Sequence, residues 1–219
     1  HRQPRQPVER SDTRADQGGV HRVPAGVTQP RRPQIVDVER RVVAGQRGDS
    51  LLVARMLANG TLDAGFGSGG IYQSPDAFGY TARVARAAAD GYRVIAQVPA
   101  GGRGWDCSVL GLTGAGVPDA ACGNAGIVKQ LSPGSGSLRC TSLAVQPDGR
   151  ILLGGAEDDT DGYVGRLLAN GAIDPSFNAG VVPGRFKSVS ALAAGAAGSI
   201  FVTGNDQTGF SGALIVRLL

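Results

Sequence analysis

Asp63, Asp119 and Asp174 are the carboxylates whose placement most invites a chemical role, because each stands at the same point of a recurring pattern. Arg55, Arg166 and Arg217 recur in the same way. Carboxylates serve as general acids and bases when two of them converge on one substrate. One carboxylate per repeat is a different arrangement: a single catalytic centre does not need a copy in every unit, whereas a turn carboxylate that accepts local backbone N–H groups recurs with the turn. The expectation is therefore structural, with a paired Arg–Asp bridging neighbouring elements as one use, worth ~0–1 kcal/mol where solvent reaches it.

Other chemistries are thinner. The run Glu157-Asp-Asp-Thr-Asp161 offers oxygen ligands for calcium, with Glu157, Asp159 and Asp161 as the candidates. A helix–loop–helix calcium loop needs a bidentate Glu at its twelfth position, and counting from Glu157 that position is Leu168, so only an adventitious cation site is left. Nucleophilic catalysis by Ser or Cys needs a base within reach. The two histidines, His1 and His21, both precede the repeats, so a triad hydrolase is not expected. No residue pattern implies a cofactor, and Gly101-Gly-Arg-Gly104 precedes no helix that would make it a phosphate loop. Cys107, Cys122 and Cys140 have no metal-ligand spacing. Cys107 and Cys122 fall within one repeat and could form a local disulfide in an exported protein, leaving Cys140 free; the alternative is three buried thiols acting as small hydrophobes. Trp105, Tyr92, Tyr163, Phe186 and Phe210 could line a sugar-binding surface or pack between repeats, and the latter is the more economical use of a chain with 5% aromatics.

These residues are positioned by a repeat. Arg166-Leu-Leu-Ala-Asn-Gly-Ala-Ile-Asp-Pro-Ser-Phe-Asn-Ala-Gly180 restates Arg55-Met-Leu-Ala-Asn-Gly-Thr-Leu-Asp-Ala-Gly-Phe-Gly-Ser-Gly69, and a degraded copy runs from Gly111 to Ala125. Gly60, Gly116 and Gly171 fall at steps of 56 and 55 residues. In the third copy, Cys140–Gln146 reads as a strand, Pro147-Asp148-Gly149 as a tight turn and Arg150–Gly155 as the antiparallel return, followed by a strand over Gly162–Leu168. Asn59-Gly60 and Asn170-Gly171 then turn the chain, read as pairs of left-handed residues. Ile173 and Phe177, like Phe66 in the first copy, are expected to point inward. In the second copy Cys122 replaces the aromatic and Gly111 the arginine.

Three or four short strands per roughly 55-residue unit is the grammar of a propeller blade. The expected fold is all-β, a β-propeller-like array of about three and a half blades of short antiparallel strands. Residues 33–219 form it, with repeats at about 33–80, 81–138, 139–187 and an incomplete 188–219. Before it, residues 1–32 are rich in Arg, Gln, Pro and Asp and are expected to be a disordered basic leader. The first 50 residues carry ten arginines against six carboxylates, the whole of the net +4; the remaining 169 carry 12 of each sign. The repeat body thus offers no broad basic footprint for nucleic acid. No apolar run of about 18 residues exists to span a membrane.

Leu143-Ala-Val-Gln-Pro-Asp-Gly-Arg-Ile-Leu-Leu-Gly-Gly155, Val164–Gly171 and Ile173-Asp-Pro-Ser-Phe177, with Leu62–Gly70 in the first copy, resemble the delta-60 repeat, a bacterial β-propeller domain of unknown function. The resemblance covers about residues 33–219 and is strongest in the first and third copies. It implies turn and core positions rather than catalytic ones, and a place within a larger secreted or surface-associated protein. The function expected is a non-enzymatic repeat scaffold engaging a protein or glycan partner, with further blades of the same protein as another partner. The alternative is a propeller hydrolase or lyase with carboxylates gathered at its axis.

Overall fold

The computed structural model describes residues 40–78, 83–87, 90–129, 131, 136–177, 180–181, 186–205 and 213–218. The leader at 1–32, the first strand expected from Ile35, and Phe210 lie outside them. The described chain is built from antiparallel strands with two single-turn 3₁₀ segments.

The strands fall into four sheets, each a meander in which consecutive strands pair. The first holds β1 (Arg40–Arg47), β2 (Ser50–Leu57) and β3 (Ile71–Ala77). The second holds β4 (Arg83–Arg86), β5 (Tyr92–Pro99), β6 (Trp105–Leu112) and β7 (Ile127–Val128). The third repeats that plan with β8 (Leu138–Val145), β9 (Ile151–Glu157), β10 (Asp161–Leu167) and β11 (Gly180–Val181). The fourth holds β12 (Ser188–Ala194), β13 (Ile200–Asn205) and β14 (Ala213–Leu218). Pairing register aligns the copies. Arg55 faces Val42, Gly111 faces Arg93, Arg166 faces Leu152 and Arg217 faces Phe201. By that register, β1–β3 are the second to fourth strands of a blade, and β12–β14 are the first to third.

The sheets stack face to face over three separate cores. Val42, Val53, Phe66, Tyr92, Val94 and Leu112 fill the first, between the first and second sheets. Ile95, Val109, Leu138, Ile151 and Leu153 belong to the second, and Leu152, Val164, Phe186, Val189 and Val202 to the third. A sheet between two neighbours is apolar on both faces, which is why β5 is buried from Tyr92 to Val98 instead of alternating in and out. Alternation sets the partition. Tyr92, Val94, Ala96 and Val98 face the first core and Ile95 the second, so one residue of slip would exchange the two sets. The opening strands meet across the stack, β8 against both β4 and β12. Hydroxyls tie β8 to β12: Thr141 donates to the Val189 carbonyl at 2.6 Å, and Ser142 accepts from the Leu192 N–H at 2.9 Å.

The Asn-Gly turn differs from its sequence reading. Gly60 and Gly171 have φ of 84° and 85°, but Asn59 and Asn170 are not left-handed. The turn is the three-residue hairpin closed by two hydrogen bonds, Gly60 N–H to the Leu57 carbonyl and Leu57 N–H to the Thr61 carbonyl, both 2.9 Å, in which only the glycine takes the left-handed place. Asn59 and Asn170 contribute through their side chains, each accepting the backbone N–H two residues on, Thr61 and Ala172, at 3.0 Å. Gly116 and Gly149 close the same turn after Thr113 and Gln146. A second difference concerns Ile173, expected inward and found 68% exposed. Its counterpart Pro118 is exposed as well, although it lies against Gly126 of the returning chain.

Candidate functional site

The recurring aspartates sit where the chain leaves the third strand of each blade. The backbone there makes one bridge back to that strand: Asp63 N–H to the Arg55 carbonyl at 2.9 Å, Asp119 to Gly111 at 2.9 Å, Asp174 to Arg166 at 3.0 Å. Each carboxylate then divides its two oxygens. Oδ1 accepts the N–H two residues on, from Gly65 at 3.0 Å, Ala121 at 3.1 Å and Ser176 at 2.9 Å. Oδ2 takes an arginine. Arg55 Nε lies 2.9 Å from Asp63 and Arg166 Nε 2.7 Å from Asp174. Arg150, one strand over, adds a second cation to Asp174 at 3.2 Å. The Ser176 hydroxyl and N–H, with Arg166, hold the Asp174 carboxyl down to about 2.

The second blade reaches the same result from another strand. Gly111 occupies the arginine position, and Arg93, directly opposite it on β5, delivers Nη2 to Asp119 at 3.0 Å. A Cβ on Gly111 would stand 3.3 Å from Arg93 Nη1 and 2.6 Å from the Cys122 Cβ, so the guanidinium and the thiol fill the space that an arginine and an aromatic fill elsewhere. The change of strand leaves a trace: Arg93 Nε is buried with no partner, while Nε of Arg55 and Arg166 is the very atom that bonds the aspartate. Position-by-position alignment misses Arg93. The signal is the cross-strand register, which sets it opposite a glycine.

Each clasp carries an apolar cap. Arg55 lies over the Phe66 ring at 4.8 Å and Arg166 over Phe177 at 4.4 Å, and Phe66 meets Tyr92 edge-on with centroids 5.9 Å apart. The cap also joins blades. Gly67 N–H, just after Phe66, donates to the Ala115 carbonyl of the next blade's turn at 2.8 Å, and Gly123 N–H, just after Cys122, donates to Asn170 at 2.7 Å. Arg55 Nη1 bonds the Gly114 carbonyl beside that acceptor, and Arg93 Nη2 reaches the corresponding Ala169 carbonyl at 3.5 Å. Asp, Arg and cap therefore form one joint that closes a blade on itself and on its successor. A groove of about 550 Å³ opens beside the first joint, between Ile71 and Tyr72 of β3 and Val117 and Pro118 of the next turn.

The remaining candidates separate. The cysteines follow neither sequence reading, a Cys107–Cys122 bridge or three free buried thiols: Cys107 is bonded to Cys140, with Cα atoms 5.6 Å apart, and Cys122 is the free, buried thiol. Sequence proximity was the wrong guide. Cys107 on β6 points into the core shared with the third sheet, where Cys140 on β8 also points, while Cys122 faces Arg93 and Asp119. Burial pushes the Cys122 thiol up. The calcium candidates do not converge. Asp159 pairs with Arg139 at 3.3 Å, Asp161 accepts the Thr160 hydroxyl at 3.0 Å, and among the described residues no three His, Cys, Asp or Glu side chains are grouped to hold a metal ion. Tyr92, Tyr163 and Phe186 are buried in the cores and Trp105 is half-buried, so no shared aromatic face is formed by them.

Residues 146–177, from the turn before β9 through Phe177, match the family model described as "Domain of unknown function (DUF5122) beta-propeller". The match falls on the third blade. The DUF5122 match takes in Arg150, Arg166, Asp174 and Phe177, every side chain of the best-formed clasp, in agreement with the delta-60 resemblance of the sequence. Among solved structures, the chain is similar to the PQQ-bound form of an aldose sugar dehydrogenase from Streptomyces coelicolor, with a TM-score of 0.51 and 15% identity over 89% of this chain and 70% of that one. At that identity the likeness shows the fold alone, a β-propeller. No curated protein matches the sequence. No helix among the described residues is long and apolar enough to cross a membrane.

Proposed function

We propose that this β-propeller segment is a non-enzymatic repeat scaffold, exported as part of a larger extracellular or surface protein and engaging a protein or glycan. The observation that carries the reading is the fate of the recurring carboxylates: Asp63, Asp119 and Asp174 each spend one oxygen on a turn N–H and the other on an arginine. Carboxylates engaged in that way hold a turn and an arginine together in every blade. Asp174 is in addition held at about 2, far from the range of a general acid or base near neutrality. The opening strands β4, β8 and β12, which meet across the stack, carry no Asp, Glu, His or Tyr. Axial acid–base chemistry would have to be supplied from outside those strands. The Cys107–Cys140 disulfide supports export, since such bonds persist in oxidising compartments.

The test sets binding against turnover. Wild-type protein is screened on a glycan array and, separately, with chromogenic glycosides and with aldoses plus PQQ and a dye acceptor. The scaffold reading expects no turnover above buffer in either assay. Turnover that is lost in Asp63→Asn, Asp119→Asn or Asp174→Asn while the melting temperature is unchanged would overturn it.

A further inference from the structure

The hairpin turn after β2 contains a grouping that its copies in the other blades lack. The chain has five asparagines, at 59, 124, 170, 178 and 205, and the residues two places on are Thr61, Gly126, Ala172, Gly180 and Gln207. Only Asn59-Gly60-Thr61 fits Asn-X-Ser/Thr with X other than proline, the acceptor pattern for N-linked sugar in a surface loop of an exported protein. A three-residue pattern carries little on its own. What gives it weight is where the fold holds it and which of its atoms the fold uses.

Asn59 and Thr61 are both exposed at the turn that follows β2. Asn59 Oδ1 accepts the Thr61 N–H at 3.0 Å and the Thr61 hydroxyl at 2.8 Å. Both bonds fall on the oxygen, and Nδ2 makes no hydrogen bond among the described residues. The nitrogen is the atom that N-glycosylation uses, so a sugar placed there leaves the turn's own bonds intact and sets its bulk in solvent. The third blade supplies an internal comparison. Asn170 Oδ1 accepts the Ala172 N–H at the same 3.0 Å, and Asn170 and Ala172 are exposed too, but Ala172 has no hydroxyl. In the second blade Ala115 stands at the asparagine position. The turn therefore forms without the hydroxyl, and in the second blade without the asparagine as well, so the fold does not require the pair that makes up the acceptor pattern.

We propose that Asn59 is an N-glycosylation site, its acceptor pattern completed by Thr61 and its donor a sugar activated as a diphosphate ester. In the transfer, Nδ2 forms a bond to C1 of the sugar while the C1–O bond to the diphosphate breaks. The diphosphate leaves with the bonding electrons, and the amide nitrogen gives up one proton. The modification rests on the export proposed above, because it is an exported protein that meets a lipid-linked donor. It does not depend on whether the propeller binds or catalyses: the Arg55–Asp63 clasp next to the turn uses neither Asn59 nor Thr61.

The experiment isolates the protein from its native host, keeping the cytoplasmic fraction apart from the surface and medium, and maps tryptic peptides by mass and fragmentation. The expected result is sugar mass on peptide 56–83 of the external protein, located on Asn59, with peptide 167–185 and its Asn170 unmodified. Thr61→Ala should lose the sugar and still fold, since it reproduces the turn of the third blade. External protein with a bare Asn59, sugar on Asn170 as well, or sugar that persists in Thr61→Ala would overturn the site while leaving export standing. Protein found only in the cytoplasm would overturn export. A bare Asn59 there would overturn the site with it, whereas a sugar there would uphold the site with a nucleotide-linked donor.

Discussion

Removing the Cys107–Cys140 bond is the perturbation whose size the structure fixes best. The bond joins β6 of the second blade to β8 of the third across their shared core, over a sequence separation of 33 residues. In the chain-entropy account, closing a loop of that length removes about 12–13 cal/mol/K from the unfolded ensemble, or about 4 kcal/mol at 25 °C. For a chain of this size, that corresponds to on the order of 10 °C in melting temperature. Both sulfurs are buried, so the paired replacement Cys107→Ala with Cys140→Ala avoids leaving a buried hydroxyl, and reduction of the wild type should reproduce its effect. Thiol titration with an aromatic disulfide reagent checks the pairing. The native protein should show no reactive thiol, because Cys122 is buried and its thiol pushed up by that burial, and unfolding without reductant should release one. Cys122→Ala should retain the full sensitivity to reductant. Three thiols on unfolding, or reductant sensitivity lost in Cys122→Ala, would refute the inter-blade staple.

Other perturbations follow from the joints. The Asp174 carboxyl, at about 2 in the folded state against an ordinary 3.8, binds its proton less readily than in the unfolded chain. Its stabilisation is therefore complete above about pH 4 and is lost as pH falls toward 2; Asp174→Asn should flatten that part of the acid-unfolding curve. Gly116→Val places a branched side chain at φ 72° with its Cβ against Phe66. Left-handed strain of roughly 1–2 kcal/mol and overpacking of about 1–3 kcal/mol should together lower the melting temperature markedly, whereas Gly48→Ala, with open space around the same kind of backbone, should cost only the strain. Calcium titration should leave the melting temperature unchanged, since Asp159 is paired with Arg139 of β8 and Asp161 with the neighbouring Thr160 hydroxyl; a saturable rise would restore the cation site.

Much of the fold was legible because the repeat exposes its own grammar. A position that recurs every 55 or 56 residues must do something every blade needs, and that logic located the turns, the strands of the third copy and the Arg–Asp pair of the first and third. It failed where function is kept but the residue moves. Arg93 carries out the task of Arg55 from the neighbouring strand, which is visible only when register places it opposite Gly111. Cysteine pairing was illegible for a related reason: a disulfide obeys distance across a blade interface, and Cys140 lies nearer to Cys107 in space than the sequence-adjacent Cys122 does. An Asn-Gly pair is ambiguous in sequence, because asparagine both tolerates a left-handed backbone and accepts the N–H two residues on, and the structure uses the second property. Ile173 has an apolar side chain at a position that faces solvent, as the equivalent Pro118 also does.

The central claim is that the recurring carboxylates are joints. A double-mutant cycle on Arg93→Leu and Asp119→Asn, followed by denaturant unfolding, tests it in the blade that departs most from the pattern. The two groups lie 3.0 Å apart and largely out of solvent, so the account predicts that each single change lowers stability and that the pair couples by at least about 1 kcal/mol. Additive effects, or stability unchanged while a bound ligand or an activity is lost, would contradict it.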